Sequence, residues 1–122
     1  MITEQQNKAI TITSICAITL YFFAMLFDIM ITLTVQQTYP ALFHSIEQNP
    51  ITFYFIETFS LPFNLVIPFI IILSFFLLTK NRFQNYSQNK KIYYITGILC
   101  YTIAMSVIHI VGASGAFIYG WL

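Results

Sequence analysis

The sequence is short of charge. Only 7% of its 122 residues are Asp, Glu, Lys or Arg, where a soluble domain carries roughly a quarter. With 58% hydrophobic residues and a positive mean hydropathy, that shortage excludes an ordinary water-soluble fold and assigns the chain to a membrane. A charge of one sign is also lacking. Five bases against four acids leave no electrostatic footprint for nucleic acid. Cysteine is nearly missing: Cys16 and Cys100 lie singly in apolar runs, without CxxC or metal-type spacing. They read as two buried thiols acting as small hydrophobes.

What is present is three long apolar segments, at about residues 9–35, 51–79 and 92–121. Each exceeds the roughly 20 residues needed to cross a hydrocarbon core of about 30 Å. Backbone polar groups in lipid must be satisfied within the segment, so all three are expected to be helices. The expected fold is an all-α integral membrane bundle of three long transmembrane helices, forming a single domain over residues 1–122. Pro62 and Pro68 fall inside the second segment and predict a kink, or a short interfacial helix before Pro62. The first segment is longer than the apolar run of a signal peptide and ends without a small-residue cleavage site, so it reads as a retained anchor.

Charge placement gives an expected orientation. With three spans, Lys8 and the loop 80–91 share one side, and that loop holds Lys80, Arg82, Lys90 and Lys91. All five bases therefore lie on one side, which the positive-inside rule makes cytoplasmic in a multi-pass cell-membrane protein. The loop 36–50 and the C-terminus are expected outside.

Three ionisable residues interrupt the spans. At 1.5 Å per residue, Asp28 lies roughly 10 Å below the outer end of the first helix, and Glu57 about 9 Å below that of the second. His109 lies about 26 Å from the inner end of the third. All three fall at a similar depth in the outer half, and the outer loop sets His44 and Glu47 close above them.

Helical faces sharpen the placement. Stepping by threes and fours from Asp28 reaches Ala24, Tyr21, Ala17, Ser14 and Thr32, a stripe of small and polar residues. From His109 the same walk reaches Ser106, Thr102, Ala113, Ala116 and Gly120, and the second segment offers Glu57, Ser60, Asn64 and Pro68. Membrane helices approach one another along such stripes, so Asp28, Glu57 and His109 are predicted to converge. Convergence admits two kinds of role. The trio can bond the helices together, or it can bind a divalent metal such as copper or zinc, completed by His44 or Glu47, or relay protons.

The stretch Phe27-Asp28-Ile29-Met30-Ile31-Thr32, the turn Glu47-Gln48-Asn49-Pro50 and a polar residue within the last helix together resemble a group of small three-helix archaeal and bacterial membrane proteins of unknown function. Those proteins show an Asp in the first helix and a Glu-x-Asn-Pro turn before the second. The resemblance covers about residues 15–110 and implies the three-helix architecture; it implies no activity. Where that family often has Asn in its last helix, this chain has His109. Physically, the turn reads as a helix start, with Asn49 as cap, Pro50 at the first helical position and Glu47 near the positive dipole end.

The segment Val111-Gly112-Ala113-Ser114-Gly115-Ala116-Phe117 contains the GxSG pattern of intramembrane serine proteases. His109 lies about 140° around the helix from Ser114 and cannot act as its base. Gly112 and Ala116 are instead expected to permit close helix packing. The short loops offer almost no surface for a separate catalytic domain. The leading expectation is therefore a small non-catalytic accessory subunit, in contact with lipid and with other integral membrane subunits. The alternative is an outer-side metal or proton-relay site, alone or within a redox or monooxygenase-type membrane enzyme. A channel or transporter is weaker, because the inner half of the spans carries no charge relay.

Overall fold

The computed structural model describes residues 2–38, 50–59 and 63–118. These form four α-helices: α1 (Ile2–Thr38), α2 (Pro50–Phe59), α3 (Ile67–Thr79) and α4 (Gln88–Ile118), with 3₁₀ turns at Phe63–Leu65 and Lys80–Asn85. No strand occurs among the described residues. Three helical stretches, Glu4–Thr38, Phe63–Arg82 and Gln88–Gly115, are long and apolar enough to cross a membrane. The architecture is the expected all-α three-helix bundle.

Two boundaries differ from the expectation in an instructive way. Helix α1 begins seven residues before residue 9, and its 37 residues reach about 55 Å, well beyond a core of about 30 Å. Nothing in the polar opening stretch opposes helix, and Glu4 in the first turn suits the positive dipole end. The second apolar segment is not one helix. Pro68 sits within the first two positions of α3, where its missing N–H costs nothing. The same ring would clash with the carbonyl four residues earlier in a continuing helix. The chain before it accordingly tightens into a 3₁₀ turn, closed by Val66 N donating to Phe63 O at 3.0 Å. Helix α2 is the short separate helix that the prolines foreshadow, and it makes its main described contacts with that turn.

The bundle is built around α1 and α4, which pack along most of their length, while α3 lies more lightly against them. On α1 the buried positions Ile10, Ser14, Ile18, Tyr21 and Met25 recur every three or four residues, the spacing of one helical face. On α4 the matching seam is Lys91, Ile98, Thr102, His109 and Ala113. Tyr21 is wholly buried and joins three elements. Its ring lies 5.5 Å from Phe69 of α3, and 6.3 Å from Tyr101 and 5.7 Å from His109, both of α4.

Two hydroxyl contacts fix α3 against α4. Tyr101 donates to the Pro68 carbonyl at 3.0 Å, and the Thr79 and Tyr94 hydroxyls share a bond of 2.7 Å. Lipid is as apolar as leucine, so such polar contacts and close packing, more than apolar burial, hold membrane helices together.

The surface of the bundle is apolar. Leu20, Phe23, Met30, Leu78, Tyr93 and Val111 each leave more than 60% of their area uncovered. That surface suits a membrane environment with lipid contact. Cys16 and Cys100 belong to it: both are exposed, which corrects the expectation of buried thiols. A span has apolar residues on every side, so an apolar neighbourhood in sequence does not mark the interior. Gly112 brings a second correction. A methyl group added there meets nothing within 4 Å, so within this chain Gly112 mediates no close approach. The small residue at the seam is its neighbour Ala113, 2% exposed and one turn beyond His109.

Candidate functional site

Asp28 and His109 meet across the α1–α4 seam. His109 Nδ1 donates to Asp28 Oδ2 at 2.6 Å, with the histidine side chain 3% and the carboxylate 15% exposed. That separation lies at the short end for a charge-assisted hydrogen bond. The second carboxylate oxygen, Oδ1, accepts a longer bond of 3.4 Å from Thr32, one turn further along α1. Below the pair, Thr102 turns its hydroxyl back to the Ile98 carbonyl at 2.8 Å, and Ser106 turns its own to Thr102 O at 2.6 Å. These hydroxyls are satisfied within α4.

Among the described residues, three polar atoms in the same seam have no hydrogen-bond partner: Ser14 Oγ, Tyr21 Oη and His109 Nε2. With Nδ1 committed to Asp28, Nε2 is the nitrogen left without a partner among the described residues, and the Tyr21 ring lies 5.7 Å from the imidazole. The seam therefore carries polar groups among its apolar ones, and Asp28 and His109 are the ionisable pair that meets across it.

No protein-family model, curated protein or solved structure matches the chain. The resemblance to small three-helix membrane proteins thus rests on its short motifs, and chemistry has to be argued from the site itself.

Of the residues predicted to form a site, the structure joins Asp28 and His109 and leaves Glu57 apart. Glu57 lies in α2, ahead of the Phe63–Arg82 stretch, and its side chain is exposed. The expected depth of Glu57 assumed an unbroken second helix from residue 51. The turn forced by Pro68 removes that basis. Among the described residues no three of His, Cys, Asp and Glu gather as a metal-holding group. His44 and Glu47 lie outside the described residues, as do Asn49 and Ser60. Pro50 does open α2, in the position where its missing N–H is harmless.

Stripe reasoning did not assign a special part to Tyr21, although it placed the residue on the right face. The available signal was a large aromatic in a row of Ser, Ala and Asp. Such a residue in a small-residue stripe needs a matching hollow, here lined by Phe69, Tyr101 and His109.

Proposed function

We propose that the chain is a small non-catalytic membrane subunit, a three-span unit that packs among lipid and other integral membrane chains. The observation that supports this reading most directly is the use of its intramembrane charge. Asp28, the acid of an otherwise apolar run, is answered by His109 of the same chain, so the pair serves as a fastener between α1 and α4. The wide apolar surface around that fastened core is what lipid or neighbouring apolar helices would cover. The basic end, with Lys8, Lys80, Arg82, Lys90 and Lys91, is cytoplasmic in this reading.

Purification from native membranes in mild detergent tests the assignment. Stoichiometric recovery of further membrane chains is the expected result. An isolated monomer, together with intact membrane complexes after deletion of the chain, would overturn it.

One observation favours a second reading. A buried histidine whose Nδ1 is held by a carboxylate and whose Nε2 has no partner among the described residues has the arrangement that orients a metal-binding imidazole, and the same pair can exchange a proton. Asp28 would then position His109, and further donors would come from elsewhere. Elemental analysis of the wild type, Asp28→Asn and His109→Ala decides the metal version. Copper or zinc lost from both variants supports it, and metal content unchanged in both refutes it.

A further inference from the structure

A second polar feature lies at the opposite end of the spans from the Asp28–His109 pair. The first turns of α1 and the 3₁₀ turn after α3 enclose an open groove of about 720 Å³, within the roughly 300–1,000 Å³ of small-ligand sites. Lys8 and Lys80 contribute the cations that line it, and Glu4 the single carboxylate. Asn81 and Thr11 add neutral polar groups, while Ile12 supplies an apolar wall on the side that leads into the span. Glu4, Lys8, Lys80 and Asn81 are all exposed. Among the described residues the ion pair found is Asp28–His109, so the groove's charges are not tied to one another.

The level of the groove narrows its ligand. Glu4 opens the first membrane-length stretch, and Lys80 lies two residues before the end of the second, which sets the groove where phospholipid headgroups lie. Basic pockets between spans at this level bind lipid phosphates. A purely anionic headgroup would use the two lysines and be repelled by Glu4. A headgroup carrying both a phosphate and an ammonium uses all three: the phosphate accepts from Lys8 and Lys80, and the ammonium donates to Glu4. We propose that this groove is a binding site for a zwitterionic phospholipid headgroup of the phosphoethanolamine type, with the acyl chains leaving past Ile12.

The test is lipid retention by the full chain, measured by native mass spectrometry after reconstitution. The vesicles are of phosphatidylcholine doped equally with phosphatidylethanolamine and phosphatidylglycerol. Phosphatidylethanolamine is expected to be retained about tenfold over phosphatidylcholine, on the scale of one hydrogen bond between charged groups. The trimethylated choline has no N–H to donate to Glu4. Lys8→Gln with Lys80→Gln should lower retention of both zwitterionic lipids, whose phosphate the lysines hold. Glu4→Gln should lower retention of phosphatidylethanolamine and spare or raise that of phosphatidylglycerol.

Arg82→Gln removes one positive charge from the basic end at a residue that does not line the groove and should change nothing. Free phosphoethanolamine in millimolar excess should compete weakly if the lipid is the ligand; full displacement would assign the site to the soluble compound instead. Equal retention of all three lipids overturns the proposal. So does a preference for phosphatidylglycerol in the wild type, or a loss in Arg82→Gln as large as in the double lysine variant.

Discussion

Replacing His109 by alanine removes the partner that Asp28 meets on α4 and opens a hole where a nearly buried imidazole stood. Two magnitudes compete in setting the cost. Interhelical hydrogen bonds in membrane proteins average only about 0.6 kcal/mol in double-mutant cycles, with a maximum near 1.7 kcal/mol. Removing one partner of a buried charged pair costs about 3–5 kcal/mol, because the other charge is left uncompensated.

The 2.6 Å separation and the 3% and 15% exposures of the pair place it toward the second regime. The carboxylate keeps some access and the 3.4 Å bond from Thr32, which moderates the loss. His109→Ala is therefore expected to destabilise the bundle by about 3 kcal/mol. Asp28→Asn keeps the shape and can still accept from Nδ1, so it should cost about 1–2 kcal/mol. Unfolding in mixed micelles, followed by far-ultraviolet circular dichroism for the wild type, both single variants and the double variant, measures the ionic part of the pairwise term, since the asparagine can still accept from Nδ1. A coupling of about 1.5–2 kcal/mol is expected, near the upper limit for interhelical bonds. A coupling below about 0.5 kcal/mol would refute the reasoning, since Asp28 would then be as well placed without His109 as with it.

Other outcomes follow from the same geometry. Tyr21 Oη is buried without a partner among the described residues, so Tyr21→Phe should be neutral or stabilising by up to about 1 kcal/mol; a loss of more than about 1 kcal/mol in the same assay would mean that the hydroxyl is satisfied in the membrane. Asp28→Leu combined with His109→Leu replaces the pair by apolar volume and should fall within about 1 kcal/mol of wild type, while distances between spin labels on α1 and α4 broaden. Unchanged narrow distances with a loss of several kcal/mol would show that the pair contributes stability and not register. Cys16 and Cys100 each lie twelve residues from the basic end of their membrane-length stretches, about 18 Å deep. Both should resist a water-soluble maleimide in intact vesicles and react after denaturation in detergent. Rapid labelling of either in vesicles would contradict the membrane placement of its helix.

How much of this was legible depended on which signal the membrane preserves. The inward face of α1 was readable because Ser14, Ala17, Tyr21, Ala24, Asp28 and Thr32 are small or polar against a background of large apolar residues, and the helix carrying them is unbroken. The same step from Thr102 to His109 and Ala113 worked on α4. Glu57 was not readable that way. A stripe counted through a proline-bearing segment assumes a continuous helix, and the turn before Pro68 rotates and displaces everything ahead of it. Cys16, Cys100 and Gly112 show a second limit. In water, burial can be inferred from apolarity, but a span is apolar on all sides, so neither a thiol in an apolar run nor a glycine near a seam reveals its direction.

That limit also explains why an apolar helix carries Asp28 at all. Between two helices that are greasy on every face, alternative registers bury similar apolar area, and lipid competes equally for each of them. A slip of one turn, 5.4 Å, would exchange one set of apolar contacts for another at little cost. The same slip would carry the carboxylate away from Nδ1, break a 2.6 Å contact and leave a charge in apolar surroundings, at a cost of several kcal/mol. It would also drive the Tyr21 ring out of the hollow formed by Phe69, Tyr101 and His109. Of the two, the ionic contact separates the native register from its neighbours by the larger margin. Its main consequence is therefore specificity: Asp28 and His109 select one alignment of α1 on α4 from several that apolar packing alone would leave nearly equal.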